Sequence, residues 1–414
     1  YAVLVWTGSG AGTSVISAFG ETNSTVYNGT TSLGAITGQA TSISETFVGT
    51  TATLTVPSTD NTAWYYDGGV GVMTQISDTD FPGASLSLAG GFAHLDGFAC
   101  IMTTSGRLYA SDINSVTAWT SNSYESVNSY PDLGIGCVRF KNMIMAFGTE
   151  SCQFFRNAGL TPFPLARVPE LTVKVGCVDA KAITQIADTV FWAGATPEGG
   201  LSVFQYDGNL SRVSTPEVEA IMILAGASNI SLTSIRFFGR SFILVLAGPT
   251  TLAYCIEEKM WHEWNSTTPL WYKCASVMRG GTMVNYAVSN VSTTGKVFLM
   301  NHASLVFTDN GAAYTGRVQL PSMDLQTMDM KFWHSASVVG DQVSSSTATL
   351  AFSDDDYQTY TTWGTLDLST LRPTAFRLGA SRRRGWVLTH ASNTPFRAEA
   401  LELRVSGRNL PRDS

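Results

Sequence analysis

One pattern returns along this chain at nearly even spacing, and it restricts the fold more than any other feature. An apolar run is followed by a short polar turn and then by a second strand-like run, which carries an aromatic and ends in Asp or Asn. Clear copies are Phe98–Met102 with Arg107–Asp112, Met143–Phe147 with Gln153–Asn157, and Val190–Gly194 with Val203–Gly208. Further copies are Phe242–Ala247 with Thr251–Cys255 and Val284–Val288 with Lys296–Asn301, while Ala63–Gly68 reads as the second half of an earlier one. With Tyr66, Tyr109, Phe155, Tyr206, Tyr254 and Leu299 as equivalent anchors, the separations are 43, 46, 51, 48 and 45 residues. Periods of about 40 to 50 residues belong to four-stranded propeller blades. A strand pair that is apolar on both faces cannot be satisfied alone, and stacking blades around an axis buries each against the next. Hairpins in an irregular β-sandwich would show similar turns but have no reason to be evenly spaced. The pattern therefore predicts an all-β chain built on a β-propeller of about six blades.

Composition agrees with strands and tight turns. Charged residues make up 14% of the 414, against about 25% in an average soluble protein, and hydrophobic residues 44%. Ser, Thr, Asn and 38 Gly take the place of the missing charges, a mixture suited to turns, and with 44% hydrophobic residues to build a core, disorder is not expected. One helix is signalled, at 214–222, where Ser214 or Thr215 can cap, Pro216 sits in the first turn and Glu217 and Glu219 complement the N-terminus. Three regions follow from the patterning: a Gly/Ser/Thr-rich β or interaction segment over 1–60, a propeller core over 61–320, and an additional C-terminal β-unit over 321–414 that completes or flanks it. In that last region strands are expected at Thr347–Phe352, Ala375–Leu378, Trp386–Thr389 and Ala400–Val405.

Charge is segregated along the chain. Residues 1–106 hold seven acids and no Lys or Arg, whereas Arg372–Ser414 holds nine Arg and three acids. Such asymmetry points to nucleic acid or another charged partner, or to a basic end lying beside an acidic region of its own or a neighbouring subunit. No apolar stretch approaches the roughly 20 residues of a spanning helix, so membrane insertion is not expected. The opening Tyr1–Trp6 lacks the basic start of a signal peptide, and a chain beginning on Tyr1 is expected to have lost or omitted sequence before it. The six cysteines have no C-x-x-C spacing and read as buried reduced thiols. His94, His262, His302, His334 and His390 have no ligand spacing, and no nucleophile elbow, phosphate loop or dinucleotide fingerprint occurs. No catalytic, cofactor or metal residues are predicted.

Two local motifs remain. Ser353-Asp354-Asp355-Asp356-Tyr357, running on to Trp363, is similar to the Asp-box hairpin of sialidases and other propellers, in which Ser and Asp brace a tight turn over an aromatic. Ser353, Asp355 and Trp363 are the expected bracing residues, with Tyr357 standing where the box has glycine. Three adjacent carboxylates could hold calcium, but no loop of calcium-binding spacing follows, and turn bracing is favoured. Arg382-Arg383-Arg384 is the only basic run. It is either a DNA-proximal contact that neutralises phosphates or a strand end or intersubunit salt-bridge donor.

Taken in order, Leu108–Asp112 with Trp119, Tyr130–Asp132, Phe147–Glu150, Pro162–Pro164, Val175–Cys177, Phe191–Gly194, Ser214–Glu219, Trp261–Glu263 and Ser353–Asp355 resemble the packaged-DNA stabilisation proteins of short-tailed double-stranded DNA bacteriophages, their tail hub or nozzle proteins. The resemblance runs from about residue 95 to 405. It implies a non-enzymatic structural virion protein of the phage tail. Such a protein is a homo-oligomeric, hexameric ring below the head-to-tail adaptor that closes the portal channel, stabilises packaged DNA and conducts it at ejection. Its implied partners are the adaptor, other tail components such as fibre, spike or needle, and packaged double-stranded DNA. An acidic lumen bearing Asp67, Asp78 and Asp80 would keep DNA from sticking. The alternative is a glycan-binding or glycan-cleaving propeller, sialidase-like or an adhesin, suggested by the Asp-box-like turn and ten tryptophans.

Overall fold

A computed structural model describes residues 2–6, 14–19, 23–28, 31–48, 51–67, 71–127, 132–195, 200–237, 239–264, 271–279, 282–289, 297–300, 307–309, 312–313 and 315–407. The chain divides into two compact units, Tyr1–Trp264 with Pro269–Met300, and Asn265–Thr268 with Asn301–Ser414.

The first unit is a β-propeller. Its strands follow one another as antiparallel meanders, and the first strands of successive meanders are Ala2–Trp6, Ser44–Val48, Leu88–Leu95, Gly134–Phe140, Ile183–Ile186, Ile230–Phe237 and Trp271–Arg279. These first strands lie side by side in two runs: Leu88–Leu95 lies beside Ser44–Val48 and pairs in parallel with Gly134–Phe140 through Gly90 and Gly136. Ile230–Phe237 lies between Ile183–Ile186 and Trp271–Arg279, and the last in turn lies beside Ala2–Trp6. The third strands are Thr25–Asn28, Ala63–Tyr66, Arg107–Ser111, Cys152–Asn157, Leu201–Tyr206, Thr250–Cys255 and Val297–Met300. All six sequence anchors fall on third strands, from Tyr66 to Leu299. The remaining meander precedes them, with Tyr27 at 39 residues from Tyr66; counted by meander, the third and fourth sheets are joined edge to edge into one of eight strands. Residues 1–60 supply that first meander and the start of the second.

Second strands such as Phe98–Thr103 and Met143–Gly148 are buried on both faces after their first residue, as strands packed between two neighbours must be. Between the fourth, fifth and sixth sheets the core is aromatic. Trp192 meets Phe147 edge-on at 5.5 Å and stacks on Phe204 at 5.9 Å, while Phe140 meets Tyr206 at 5.1 Å. The indole N–H of Trp192 donates to the carbonyl of Gly176 at 3.1 Å, so the ring is oriented as well as buried. Helix α1, Pro216–Ala225, stands between the fifth and sixth sheets with Pro in its first turn. Glu219 accepts hydrogen bonds from the hydroxyls of Ser202 (2.8 Å) and Ser214 (2.6 Å), tying the helix to the fifth sheet.

The second unit packs two antiparallel sheets on a common core. One has the order Gly316–Gln319, Gly385–His390, Thr347–Ser353, Thr361–Asp367; in the other, Lys331–Gly340 is flanked by Thr374–Phe376 and Ala380–Ser381 on one side and by Ala398–Gly407 on the other. Trp333, Val338, Leu350, Leu366, Leu378 and Trp386 form the core, with Trp333 and Trp386 edge-to-face at 5.7 Å. On the strand Ala398–Gly407, Leu401, Leu403 and Val405 point to this core and Glu402, Arg404 and Ser406 to solvent, the period-2 pattern of a sheet wet on one side.

Candidate functional site

The residues singled out in the sequence gather in the second unit, around the turn that joins Thr347–Ser353 to Thr361–Asp367. The hydroxyl of Ser353 donates to Asp355 Oδ1 (2.7 Å) and accepts the amide of Tyr357 (2.9 Å). Asp355 also accepts the amide of Thr359 on Oδ1 (2.9 Å) and its hydroxyl on Oδ2 (2.6 Å). These donors, the Thr359 hydroxyl first, hold the Asp355 carboxyl down at about 2. Asp356 and Tyr357 occupy left-handed backbone, φ 55° and 69°, a region where glycine is favoured and an aromatic is not. The Tyr357 ring lies so close to Gly385 that a Cβ there would stand 2.3 Å from it; side-chain packing holds the strained turn. Trp363 does not lie beneath the turn. Its indole N–H reaches the carbonyl of Phe376 at 2.9 Å, and the ring that meets Tyr357 at 6.1 Å is that of Tyr360.

The flanking acids meet the arginine run. Arg384 is buried, its side chain 2% exposed, and grips Asp354 with two parallel bonds, Nε to Oδ1 and Nη2 to Oδ2, both 2.7 Å. Its third donor goes to the carbonyl of Leu378, and its guanidinium lies 3.9 Å from the Phe352 ring centre. Planar, bidentate and stacked on an aromatic, this is a site that lysine could not fill. Arg383 pairs with Asp356 at 3.2 Å. Arg382 is exposed, and its carbonyl accepts Lys331 Nζ at 2.7 Å. Lys331, wholly buried, also donates to the carbonyls of Thr327 (2.5 Å) and Asp329 (3.1 Å). Sequence reading passed over Lys331, although alternation with the inward-facing Trp333 places it on the core side of its strand. The run thus divides: one arginine in the core, one on an acidic neighbour, one in solvent.

Beside this cluster, the outer face of the second sheet holds an open groove of about 830 Å³ lined by Phe332, Trp333, His334, Phe376, Arg377, Gly379 and Ala380. His334 is fixed by Ser406 at 2.7 Å. His390 is buried against Ser346 and Phe396, and burial lowers its pKa. His262 lies 3.9 Å from Glu258; His302 lies outside the described residues. Among the described residues no three His, Cys, Asp or Glu side chains stand close enough to hold a metal. All six cysteines are free and five are buried. Burial pushes the thiols of Cys137 and Cys177 to about 12.

Asp67, Asp78 and Asp80, which the sequence reading set on an acidic lumen, stand among third and fourth strands of the propeller. Asp78 accepts the amides of Asp80 (2.8 Å) and of Trp119 (3.1 Å), the latter on the fourth strand of the third sheet. Asp67 follows a third strand.

A family model described as Phage_stabilise, bacteriophage P22 Gp10, beta-propeller, matches residues 21–302. No curated protein matches the chain. Among solved structures it is similar to BBS1N in a complex with ARL6DN, at 10% identity over 73% of this chain and 92% of that one, TM-score 0.46. A chain of a mitotic checkpoint complex is 12% identical over 70% and 87%, TM-score 0.42. The dihydro-heme d1 dehydrogenase NirN is 10% identical over 69% and 60%, TM-score 0.45.

Proposed function

We propose, from the premise that this chain belongs to the phage-stabilisation family of bacteriophage β-propeller proteins, that it is the tail hub, or nozzle, of a short-tailed phage. Membership makes it a structural component of the phage tail with a role in stabilising packaged DNA. The finer reading is a hexameric ring that attaches below the head-to-tail adaptor, closes the portal channel and conducts DNA at ejection, with fibre, spike or needle proteins as further neighbours. The observation that carries it is that the family match, residues 21–302, runs from the third strand of the first meander, Thr25–Asn28, through the last strand of the propeller, Val297–Met300. A ring needs broad, rigid subunits, and a scaffold whose second strands are buried on both faces supplies one. In this reading exposed Arg382 is the member of the arginine run left to meet phosphates, and it would add affinity without sequence preference. The glycan-cleaving alternative rests on the Ser353–Asp355 turn, whose two side chains are committed to bracing a hairpin of the second unit.

Particle mass and symmetry test the proposal. Mass photometry and negative-stain imaging of the purified protein, alone and with the adaptor, are expected to give a sixfold ring that caps the adaptor. A monomer that ignores the adaptor and binds or cleaves glycan refutes it.

A further inference from the structure

The outer face of the sheet built on Lys331–Gly340 carries what a protein interface needs. Phe332 is 56% exposed and Phe376 61%, and both line the 830 Å³ groove. Met330, two residues before Phe332, is also exposed. Aromatics, Met and Arg are the residue types enriched at the centre of protein interfaces, and apolar groups gathered on one face of a soluble unit mark a binding surface, unlike scattered ones. The charges here have one sign. Arg377 lines the groove, and Arg404, opposite Ser335 across the register, faces solvent. Neither forms an ion pair among the described residues, whereas Glu402, the nearest acid on that face, is held by Arg372 at 3.2 Å. The surface is therefore apolar at its centre and cationic at its rim, and it calls for a partner with a carboxylate-rich surface.

Exposed carboxylates that could meet it are present on the chain itself. The stretch 1–106 has seven acids and no Lys or Arg, and its Asp60 and Asp80 are exposed and in no ion pair among the described residues. We propose that the Phe332–Phe376 face docks a second copy of this chain, which meets it through the lysine- and arginine-free stretch. The contact is head-to-tail: two different surfaces pair, and such pairing closes into a ring when the rotation permits. It rests on the homo-oligomeric reading above and supplies the joint between neighbours.

The full-length protein tests it by mass photometry over a concentration series, with circular dichroism to verify folding. Phe332→Ser with Phe376→Ser is expected to weaken self-assembly at least about tenfold, as loss of central aromatic anchors does. Arg377→Glu with Arg404→Glu is expected to do likewise, and adding Asp60→Lys with Asp80→Lys to that chain is expected to restore assembly. Wild-type assembly should also weaken as ionic strength rises from about 0.1 to about 1 M, where the screening length falls from about 10 to about 3 Å. If folded variants of both kinds assemble like wild type, the docking surface is refuted while the ring reading stands. Should assembly require the adaptor, the same variants are compared on it, with the same outcomes. A wild-type chain that stays monomeric with and without adaptor overturns both readings. If the face captures only the adaptor and never a second copy, the choice of occupant is wrong.

Discussion

The pair Arg384–Asp354 should respond very differently to loss of one partner or the other. Arg384 is 2% exposed and Asp354 39%. Asp354→Ala leaves a desolvated guanidinium with only the Leu378 carbonyl and the faces of Phe352, Trp333 and Trp386 around it. Removing one partner of a buried pair costs about 3 to 5 kcal/mol; water reaches the pair from the Asp354 side, so the low end, about 3 kcal/mol, applies. Arg384→Met keeps the stem's contacts with the three aromatics and leaves only a half-exposed carboxylate, which water can solvate. That loss should be about 1 kcal/mol, since replacing buried charge by apolar volume is often close to neutral. The double variant should resemble Arg384→Met alone. Native-state hydrogen exchange followed by mass spectrometry, read on peptides within 315–407 of the intact protein, resolves this unit from the propeller. A difference of about 2 kcal/mol appears as roughly 30-fold faster exchange in Asp354→Ala than in Arg384→Met, at 1.4 kcal/mol per decade. Equal exchange in the two single variants, or faster exchange in Arg384→Met, would refute the argument that burial of the cation sets the cost.

Three further outcomes are expected. Because its carboxyl is held at about 2 instead of the ordinary 3.8, Asp355 contributes stability that is fully present above the ordinary value and is lost as pH falls through about 2. Exchange at the Tyr357 and Thr359 amides should therefore stay slow at pH 3 and accelerate below 2, and Asp355→Ala should abolish that step; an acceleration centred near 4 contradicts the bracing. Gly176→Ala places a Cβ 2.2 Å from the backbone carbon of Thr149 and 2.4 Å from the amide of Glu150, so it should lower stability by about 1 to 3 kcal/mol, and an unchanged melting temperature refutes the close approach. Thiol reagents at neutral pH should modify half-buried Cys274 first and leave Cys137 and Cys177, raised to about 12 by burial, unmodified until unfolding; rapid labelling of all six in native protein contradicts the burial.

Third strands were legible because their signal is local: an aromatic in a buried run, then a polar turn, at a spacing that stacking of equal units imposes. All six anchors occupy the same place in their sheets for that reason. The first meander escaped the pattern because hydroxyl groups do part of its burial. Ser24, at the head of the strand Thr25–Asn28, is as buried as Val26, and its hydroxyl accepts the amide of Ala40, so hydropathy does not mark this strand. Ser353 and Asp355 were legible for the same local reason, their partners lying within four residues.

Charge was legible only where its partner lay close in sequence. Arg382-Arg383-Arg384 reads as one basic patch, yet Arg384 finds Asp354 30 residues away, and Lys331 finds the carbonyl of Arg382 51 residues away. A run of like charges on a strand alternates between faces, and whichever residue turns inward must be paired or pay the desolvation cost. The acids of 1–106 obey the same rule from the other side. Asp78, for one, finds the amide of Trp119 41 residues away. In the docking proposed above, exposed Asp60 and Asp80 would meet exposed Arg377 and Arg404 of another copy.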